Sequence, residues 1–264
     1  MSTLHRWTAS LALLAISLGQ QTISIQSFTA PSSCGSAHHH QNGCRSASAL
    51  YLSTTNPNVR FLGKGSHAVV RPGTVMVAPQ DEFHHFYRQA AIFIYAMGED
   101  EDTDEGRYMI RGAILDHPTP FTLGEMADSS LLEGIKDNPM AENLIHRGGD
   151  KGGDNVFMLH NQPEIGDGDM IGTSGVFQGG LQEALEACKQ GKAKPEDFKF
   201  FFNFCQWTEE ELESMLDDDP WIAVEVPADY VLSAEWDRSD CWKQLRNALR
   251  GDADDDDAEE DPYE

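Results

Sequence analysis

Acidic residues are absent from the first 80 positions of this 264-residue chain, although the whole sequence carries 44 of them and a formal net charge of -25. All 44 lie from Asp81 onward, beside 14 of the 19 Lys and Arg residues. This later region is strongly anionic, which disfavours direct nucleic-acid binding because phosphates are bound by clustered cations. Basic protein partners or cations suit such a surface better. The change in composition also predicts that the N-terminal region lies outside the folded unit.

Cysteine is scarce, and its spacing argues against a disulfide framework. Cys34 and Cys44 lie in the acid-free region, and Cys188, Cys205 and Cys241 follow it. Three is an odd number, and none of the three belongs to a C-x-x-C pair. A framework of the kind found in small secreted domains is therefore not expected.

A long apolar segment is also missing. The run from Trp7 to Leu18, preceded by His5 and Arg6, is shorter than the ~20 residues that span a bilayer as a helix. Its composition is typical of the apolar core of a signal peptide. We therefore predict a signal peptide over residues 1–27 and a soluble mature protein with no membrane span.

The segment that follows resembles the bipartite plastid presequence of algae with red secondary plastids. Such presequences carry an aromatic residue, often Phe, where the signal is cleaved, as at Phe28 in the run from Ser27 to Pro31. We predict that residues 28–72 form a plastid transit peptide and disordered linker, which places the protein in the secondary plastid of an alga. Simple secretion and an N-terminal anchor are the alternative interpretations.

The folded domain is predicted over residues 73–251, where short apolar runs are separated by Pro, Gly and acidic loops. Neither a fixed-period repeat nor a linker divides this region, so one domain is expected. Strand-like and helical runs mix without strict alternation, which predicts an α/β or α+β fold with a mixed β-sheet flanked by helices. The strand-like runs are 74–78, 90–96, 108–115, 155–160, 198–204 and 221–226, and 181–189 has helical spacing.

Local sequence signals mark the start of one further helix and the end of another. Thr208 and Glu211 form a capping-box pattern, in which each side chain bonds the backbone amide of the other residue. An amphipathic run from Ser239 to Arg250 is predicted to form a helix that ends at Gly251. Residues 252–264 are nearly all acidic, so a disordered tail is predicted there.

These segments, in this order, resemble the YqgE/AlgH family of bacterial proteins and their plant and algal plastid relatives. The family's opening Gly-x-Leu-hydrophobic-Ala-x-Pro strand is similar to 73–79, and its Phe-x-x-Phe-x-Gly-Tyr-x-x-Trp run is similar to 198–207. The resemblance spans essentially the whole predicted domain. The family-motif positions are Pro79, Phe86, Arg88, Gly112, Asp116, Pro118, Gly148, Gly149, His160, Trp207, Leu212 and Trp221.

Several polar positions depart from the family pattern. Asp116 stands where the family has Asn, His117 where it has Arg, Asp150 where it has Pro, and Asn203-Phe204 where it has Gly-Tyr. The apolar positions and turn glycines remain, so the resemblance still implies the family's fold. It implies no enzymatic activity, because the family has no established one.

The resemblance leaves three functional hypotheses. The first is a non-catalytic regulatory or interaction protein with an unidentified protein partner. The second is a hydrolase-type enzyme with a polar site near Asp116, His117, Asp150 and His160, which requires these groups to converge in one pocket. The third is a transcriptional regulator, a label that some family members carry, but the acidic surface argues against it.

Other motifs have simpler interpretations, and neither a cofactor nor a metal is expected. The alternating carboxylates of Asp100, Asp102 and Asp104 lack the Gly and Glu of an EF-hand, so a solvated loop is favoured over loose divalent-cation binding. The glycine-rich stretch 148–153 does not match a phosphate-binding loop, and a tight turn is predicted. Ser174 lacks the G-x-S-x-G nucleophile context.

For the histidines and the aromatic residues, a structural role is also favoured over a functional one. His84, His85, His117, His146 and His160 lack the i, i+4 spacing of a helical zinc site, although with Asp116 or Asp150 they remain a possible metal set. The cluster His38 to His40 would be removed with the transit peptide. The aromatic run 198–207 is interpreted as core on both sheet faces, because only Lys199 supplies an interleaved cation.

Overall fold

The fold is built on a mixed β-sheet. The structure, a computed structural model, describes residues 59–99, 107–126, 135–166 and 170–253. The predicted signal peptide, most of the predicted transit segment, the acidic loop 100–106 and the tail from 254 lie outside the described residues. The strands are β1 Arg60–Lys64, β2 Val75–Val77, β3 Ala91–Glu99, β4 Tyr108–Ile114, β5 Pro118–Thr122, β6 Leu144–Arg147, β7 Lys151–His160, β8 Phe177–Gln178, β9 Phe198–Thr208 and β10 Ile222–Glu225.

The strands follow the order β1-β10-β2-β3-β4-β9-β6-β5, and β7 pairs with both β8 and β9. Neighbouring strands are antiparallel except β6 and β9, which run parallel with Ile145 opposite Phe200 and His146 opposite Phe201. Strand β9 is long enough to pair with β4 at its C-terminal end and with β6 and β7 at its N-terminal end. The predicted mixed sheet with flanking helices is confirmed, and the arrangement is α+β.

The helices are α1 Leu123–Met126, α2 Leu181–Lys189, α3 Glu209–Asp218, α4 Ala228–Leu232 and α5 Asp240–Ala253. The predicted capping box is confirmed, because the Thr208 side chain accepts from the Glu211 amide and the Glu211 carboxylate accepts from the Thr208 amide. The predicted end of the last helix at Gly251 is wrong. Helix α5 continues to Ala253, two residues into the segment predicted as a disordered tail.

The predicted start of the domain at Gly73 requires a correction. Strand β1 lies in the stretch 28–72 that was predicted as transit peptide and linker, and it pairs antiparallel with β10. Arg60 and Arg71 both form ion pairs with Glu225 of β10. The folded unit therefore begins at least at residue 59. Sequence patterns missed β1 because its residues are exposed or only half-buried, which leaves a weak apolar signal.

Two hydrophobic clusters form the core. The larger is centred on β2, β3 and β10 and includes Val75, Phe93 and Trp221, and the smaller lies between α2 and the N-terminal half of β9. The predicted aromatic core is confirmed, because alternate residues of β9 enter different clusters: Phe200 enters the smaller and Phe201 the larger. Each fully buried aromatic side chain contributes about 2 to 3 kcal/mol by removal from water.

The glycines between β6 and β7 allow a close backbone crossing. A side chain at Gly148 would place its Cβ 2.3 Å from the carbonyl oxygen of Asn203, and one at Gly149 would lie 2.2 Å from the carbonyl carbon of Phe204. Asn203 has a φ of 62°, in the left-handed region that Gly adopts freely and Asn tolerates. Asn at this position is therefore compatible with the family's glycine. The stretch predicted as a turn instead continues into β7, which begins at Lys151.

Candidate functional site

Lys199 is a buried cation, with only 2% of its surface exposed. It lies at the N-terminal end of β9, and its Nζ donates hydrogen bonds to the carbonyl oxygens of Leu115 at 2.8 Å, Val231 at 3.2 Å and Ser233 at 2.7 Å. Burial lowers its pKa to about 8. We call Lys199 and these three carbonyls the carbonyl cage. Since an ammonium has three donors, the cage satisfies all of them.

Asp116 connects the cage to helix α5. It follows β4 and is fully buried, and its Oδ2 accepts a hydrogen bond from the backbone amide of Trp242 at 3.2 Å. Burial raises its pKa to about 7, although the Trp242 amide and the charge of Lys199 oppose that rise. A carboxylate beside the first turn of a helix also interacts favourably with the helix dipole. Asp116 therefore fixes the start of α5, while Lys199 binds carbonyls at the end of α4.

The groups around this link are also structural. Tyr230 donates its hydroxyl to the Cys241 carbonyl at 3.4 Å, and the Trp242 indole donates to the Ala78 carbonyl at 2.8 Å. Burial raises the pKa of the Cys241 thiol well above its usual value, so the reactive thiolate is disfavoured. Cys188, Cys205 and Cys241 are all free thiols within the core.

His117 and Asp150 lie in different surroundings from Asp116. His117 is half-buried, and burial lowers its pKa to about 4, with the charges of Arg238 and Arg147 acting in the same direction. Its backbone carbonyl accepts from the Arg147 amide at 2.7 Å. Asp150 forms an ion pair with Lys151 at 3.5 Å. His117 is therefore neutral near pH 7, and Asp150 is engaged by its neighbour in sequence.

His160 ends β7 inside an aromatic stack. Its ring lies 5.9 Å from that of Phe177 and 5.7 Å from that of Phe198, and its Nδ1 accepts from the Gln162 amide at 3.2 Å. Burial lowers its pKa. The four residues of the predicted hydrolase site thus have separate sets of neighbours, and none of them lines either of the two clefts described below.

A cleft of about 340 Å³ lies where the parallel strands β6 and β9 begin. We call it the β6–β9 cleft. Its walls combine apolar side chains from two short 3-10 turns with polar groups from the strands. The lining residues are Pro139, Glu142, Asn143, Leu144, His146, Pro195, Glu196, Phe198, Lys199 and Ala234.

His146 is the unusual group in this cleft. Only 1% of its surface is exposed, and neither ring nitrogen makes a hydrogen bond with any described residue. Burial and then the charge of Lys199 lower its pKa to about 3; the nearby carbonyls of Phe200 and Leu144 oppose this shift without geometry good enough for a hydrogen bond. The ring is therefore neutral, with one donor and one acceptor both unused.

Asn143 holds the two sides of the cleft together. Its amide nitrogen donates to the carbonyl oxygens of Pro195 at 2.8 Å and Phe198 at 2.9 Å, so it joins the turn before β6 to the turn before β9. The turn before β6, Pro139–Glu142, begins at Asn138, whose side chain accepts from the Met140 amide. The frame around His146 is thus fixed by internal hydrogen bonds.

A second cleft of about 350 Å³ lies beside β1 and β10. It is lined by Arg60, Gly73, Thr173, Ser174, Glu225, Val226 and Pro227. The Ser174 hydroxyl donates to the Ile171 carbonyl at 2.8 Å and accepts from the Val176 amide at 3.1 Å. Ser174 therefore closes a turn, and among the described residues its hydroxyl has only these two backbone partners.

The family-motif positions mainly organise the core. Pro79, Gly112, Trp207, Leu212 and Trp221 are buried. Phe86 lies under the Arg147 guanidinium, 4.6 Å from its ring centroid, and the Arg88 side chain is exposed. Pro118 starts β5 opposite His146. Sequence reasoning considered Lys199 only as a cation in an aromatic run and His146 only as a possible metal ligand, and it missed Asn143.

Metal-binding and membrane-spanning features were also sought among the described residues. No three His, Cys, Asp or Glu side chains there come together as a metal-binding group. In the same ranges, none of the helices has both the length and the apolar character needed to cross a bilayer.

Comparisons with known proteins identify similar chains. A family model described as AlgH-like (DUF179) matches residues 78–254. A UPF0301 protein of Chlorobaculum tepidum is 23% identical over 171 residues, covering 64% of this chain and 83% of that protein. A UPF0301 protein of Pelodictyon phaeoclathratiforme is 25% identical over 119 residues, covering 45% of this chain and 64% of that protein, a little under two thirds of its length.

Two solved structures resemble the fold at low similarity. Protein DIP2367 from Corynebacterium diphtheriae has a TM-score of 0.48 at 16% identity, covering 67% of this chain and 86% of that one. The solution structure of the AlgH protein from Pseudomonas aeruginosa has a TM-score of 0.46 at 17% identity, covering 68% of this chain and 86% of that one.

Proposed function

This chain belongs to the AlgH-like family, and we propose that it is a non-catalytic binding protein that engages a protein partner. The observation that supports the proposal most is that the buried charged side chains form hydrogen bonds with the backbone of the fold. Lys199 and Asp116 are the buried ionic groups that most resemble a catalytic pair. Their side chains instead form hydrogen bonds with backbone groups, including ones at the end of α4 and the start of α5. The ammonium of Lys199 therefore has no donor left for acid–base chemistry, whereas Asp116 is engaged through Oδ2 and its buried Oδ1 has no hydrogen-bond partner among the described residues.

The distribution of the other titratable groups supports the same proposal. A hydrolase-type site needs a nucleophile or water, a base and an electrophilic group around one reacting atom. Here His117, Asp150 and His160 have different neighbours, and the buried thiol of Cys241 is held in its protonated form. The hydrolase hypothesis therefore loses its main support.

The charge of the chain indicates what kind of partner it binds. Its formal net charge of -25 favours a basic protein surface over nucleic acid, whose phosphates it would repel. Electrostatic attraction of this kind mainly accelerates association and weakens as salt is added. A direct role on DNA is disfavoured on the same ground.

Affinity capture tests the proposal. The full chain, tagged at its C-terminus and expressed in the cells that make it, is expected to retain a reproducible protein partner at low salt and to lose part of it at high salt. A matched control is a similarly acidic, unrelated protein in the same compartment. Recovery of the same proteins with both baits, or turnover of a substrate abolished by Asp116→Asn, would contradict the proposal.

We also propose that the protein acts in the secondary plastid of an alga. The support is the sequence alone: the apolar run from Trp7 to Leu18, the aromatic Phe28, and the absence of acidic residues before Asp81. A fluorescent protein fused after residue 72 is expected to reach the plastid. The Phe28→Ala fusion is expected to stop outside it, and secretion of both fusions would overturn the assignment.

A further inference from the structure

The β6–β9 cleft is lined by a buried histidine whose ring packs against Phe201 but whose ring nitrogens make no hydrogen bond with any described residue. The His146 ring is enclosed, lines the cleft, and lacks a hydrogen-bond partner among the described residues. Burying a polar group without a hydrogen-bond partner is unfavourable, because the group loses its bonds to water. A ligand that supplies the missing donor or acceptor would recover part of this cost on binding.

Hydrogen bonds from Asn143 join the two walls of the cleft, and both ring nitrogens of His146 are closed to solvent, so a ligand reaches them only through a small shift of the ring or the wall. Asn143 binds the carbonyls of Pro195 and Phe198 on the opposite wall, and Phe198 is itself buried. Binding to a site that is already ordered avoids the entropy cost of arranging it. The cleft is therefore suited to a ligand with its polar group in a defined position.

The residues that line the walls indicate the size and the apolar character of the rest of the ligand. Pro139, Leu144, Pro195 and Phe198 present apolar surface, and Leu144 remains 43% exposed. A volume of about 340 Å³ is at the small end of ligand sites, which typically enclose about 300–1,000 Å³. One apolar side chain with its adjoining backbone amide has suitable size and chemistry.

The rim of the cleft is acidic. Glu142 and Glu196 are both exposed, one from the turn before β6 and the other from the turn before β9. The positive charge of Lys199 is directed into the carbonyl cage, where three backbone oxygens compensate it. A ligand at the rim therefore meets carboxylates, which favour Lys or Arg beside its apolar residue.

We propose that the β6–β9 cleft binds an extended segment of a partner protein, with an apolar side chain in the cleft, its backbone amide against His146, and flanking basic residues against Glu142 and Glu196. The assignment rests on the proposed function, since it names the part of a partner that the protein recognises. It does not depend on any catalytic step.

Titration of the full chain with blocked tripeptides tests the proposal. The acetylated and amidated tripeptide Lys-Leu-Lys is expected to give saturable NMR shifts at the His146 ring and the Leu144 amide. Glu-Leu-Glu and Lys-Ser-Lys are expected to bind at least about tenfold more weakly, because the first meets like charge and the second lacks the apolar side chain. Equal binding of all three peptides would overturn the proposal.

Variants separate the cleft from the rest of the protein. His146→Phe is expected to weaken the Lys-Leu-Lys complex about fivefold or more, because it removes the polar contact to the peptide. His117→Phe is the matched control, since His117 also has a buried ring nitrogen without a partner among the described residues but does not line the cleft, and it is expected to leave affinity unchanged. Unchanged affinity in His146→Phe would contradict the site.

Two further variants avoid changing the core. Leu144→Lys, at an exposed wall position, is expected to abolish binding, and Glu142→Gln is expected to weaken Lys-Leu-Lys while improving Glu-Leu-Glu. Shifts produced equally by N-methylacetamide would assign the cleft to a small uncharged ligand and overturn the peptide assignment. If Leu144→Lys still captures the cellular partner in full, the proposed function stands and the cleft assignment fails.

Discussion

The carbonyl cage and the β6–β9 cleft lie side by side at the N-terminal end of β9, but they differ in how their buried polar groups are hydrogen-bonded. In the cage, every donor of Lys199 has a backbone carbonyl within 3.2 Å. In the cleft, both nitrogens of His146 lack a hydrogen-bond partner among the described residues. Satisfied buried groups hold a fold together, whereas unsatisfied ones have a free-energy cost that binding can offset. The difference separates a structural region from a candidate binding region.

Removal of the cage cation should have the largest effect. Lys199→Met keeps an apolar stem but leaves three carbonyls without their donor and Asp116 without its compensating charge. The expected loss is about 3–5 kcal/mol of unfolding free energy, the range for breaking a buried charge pair. Urea denaturation measures it. Lys243→Met, at an exposed lysine of α5, is the control and should change stability by less than about 0.5 kcal/mol. If Lys199→Met and Lys243→Met lose similar amounts of unfolding free energy, the carbonyl cage does not stabilise the fold as proposed.

The buried carboxyl of Asp116 should make the free energy of unfolding depend on pH. Its pKa in the fold is about 7, above its ordinary value of 3.8, so the folded state binds more protons than the unfolded state between about pH 4 and pH 7. Its contribution to stability is complete below pH 4 and is lost as the pH rises through 7. Asp116→Asn cannot lose a proton, so its stability relative to wild type should increase across this window, by about 4 kcal/mol at pH 8.

The measurement for Asp116 is denaturant unfolding at several pH values in both proteins. The difference between them isolates this carboxyl from His117 and His146, whose lowered pKa values make the fold lose stability as pH falls below about 6.5. Asp237→Asn, at an exposed carboxylate, is the control. A constant difference between Asp116→Asn and wild type from pH 4 to pH 8 would show that Asp116 is charged in the fold throughout.

Asn143 tests whether the frame of the cleft is rigid. Asn143→Ala removes two hydrogen bonds to half-buried carbonyls, and water can replace part of them, so a loss of about 1 kcal/mol is expected. Affinity for Lys-Leu-Lys should also fall, because the two walls are no longer joined. Asn161→Ala is the control for stability, since the Asn161 side chain contacts only other side chains, Asp229 at 3.5 Å and Gln162 at 3.1 Å, and bridges no backbone segments. An unchanged affinity in Asn143→Ala would indicate that the cleft is not ordered by this bridge.

Local sequence signals predicted the elements better than the site. The capping box at Thr208 and Glu211 depends on residues three apart, and the helix 181–189 on apolar spacing within nine residues. The mixed sheet followed from the same signals. Strand β1 was missed because an edge strand is only partly buried, and α5 passes Gly251 because a single glycine costs a helix only about 1 kcal/mol.

The site could not be predicted because its contacts are distant in sequence. The carbonyls that bind Lys199 come from residues 32, 34 and 84 positions away. Asn143 binds carbonyls 52 and 55 positions away, which no local pattern encodes. The resemblance marked Asp116 as a departure from the family pattern, but only the structure shows that it lies beside the first turn of α5.

His146→Phe should have the smallest effect on stability, and it tests the comparison most directly. Because no hydrogen bond of His146 is lost and a desolvated polar ring is replaced by an apolar one of similar shape, the unfolding free energy should stay within about 0.5 kcal/mol of wild type or increase. His160→Phe should lose about 1 kcal/mol, since the Nδ1 of His160 accepts the Gln162 amide. Urea denaturation of both variants at pH 7.5 gives the two values. If His146→Phe is the more destabilised variant, His146 has a structural partner and the cleft has no unused polar capacity for a ligand.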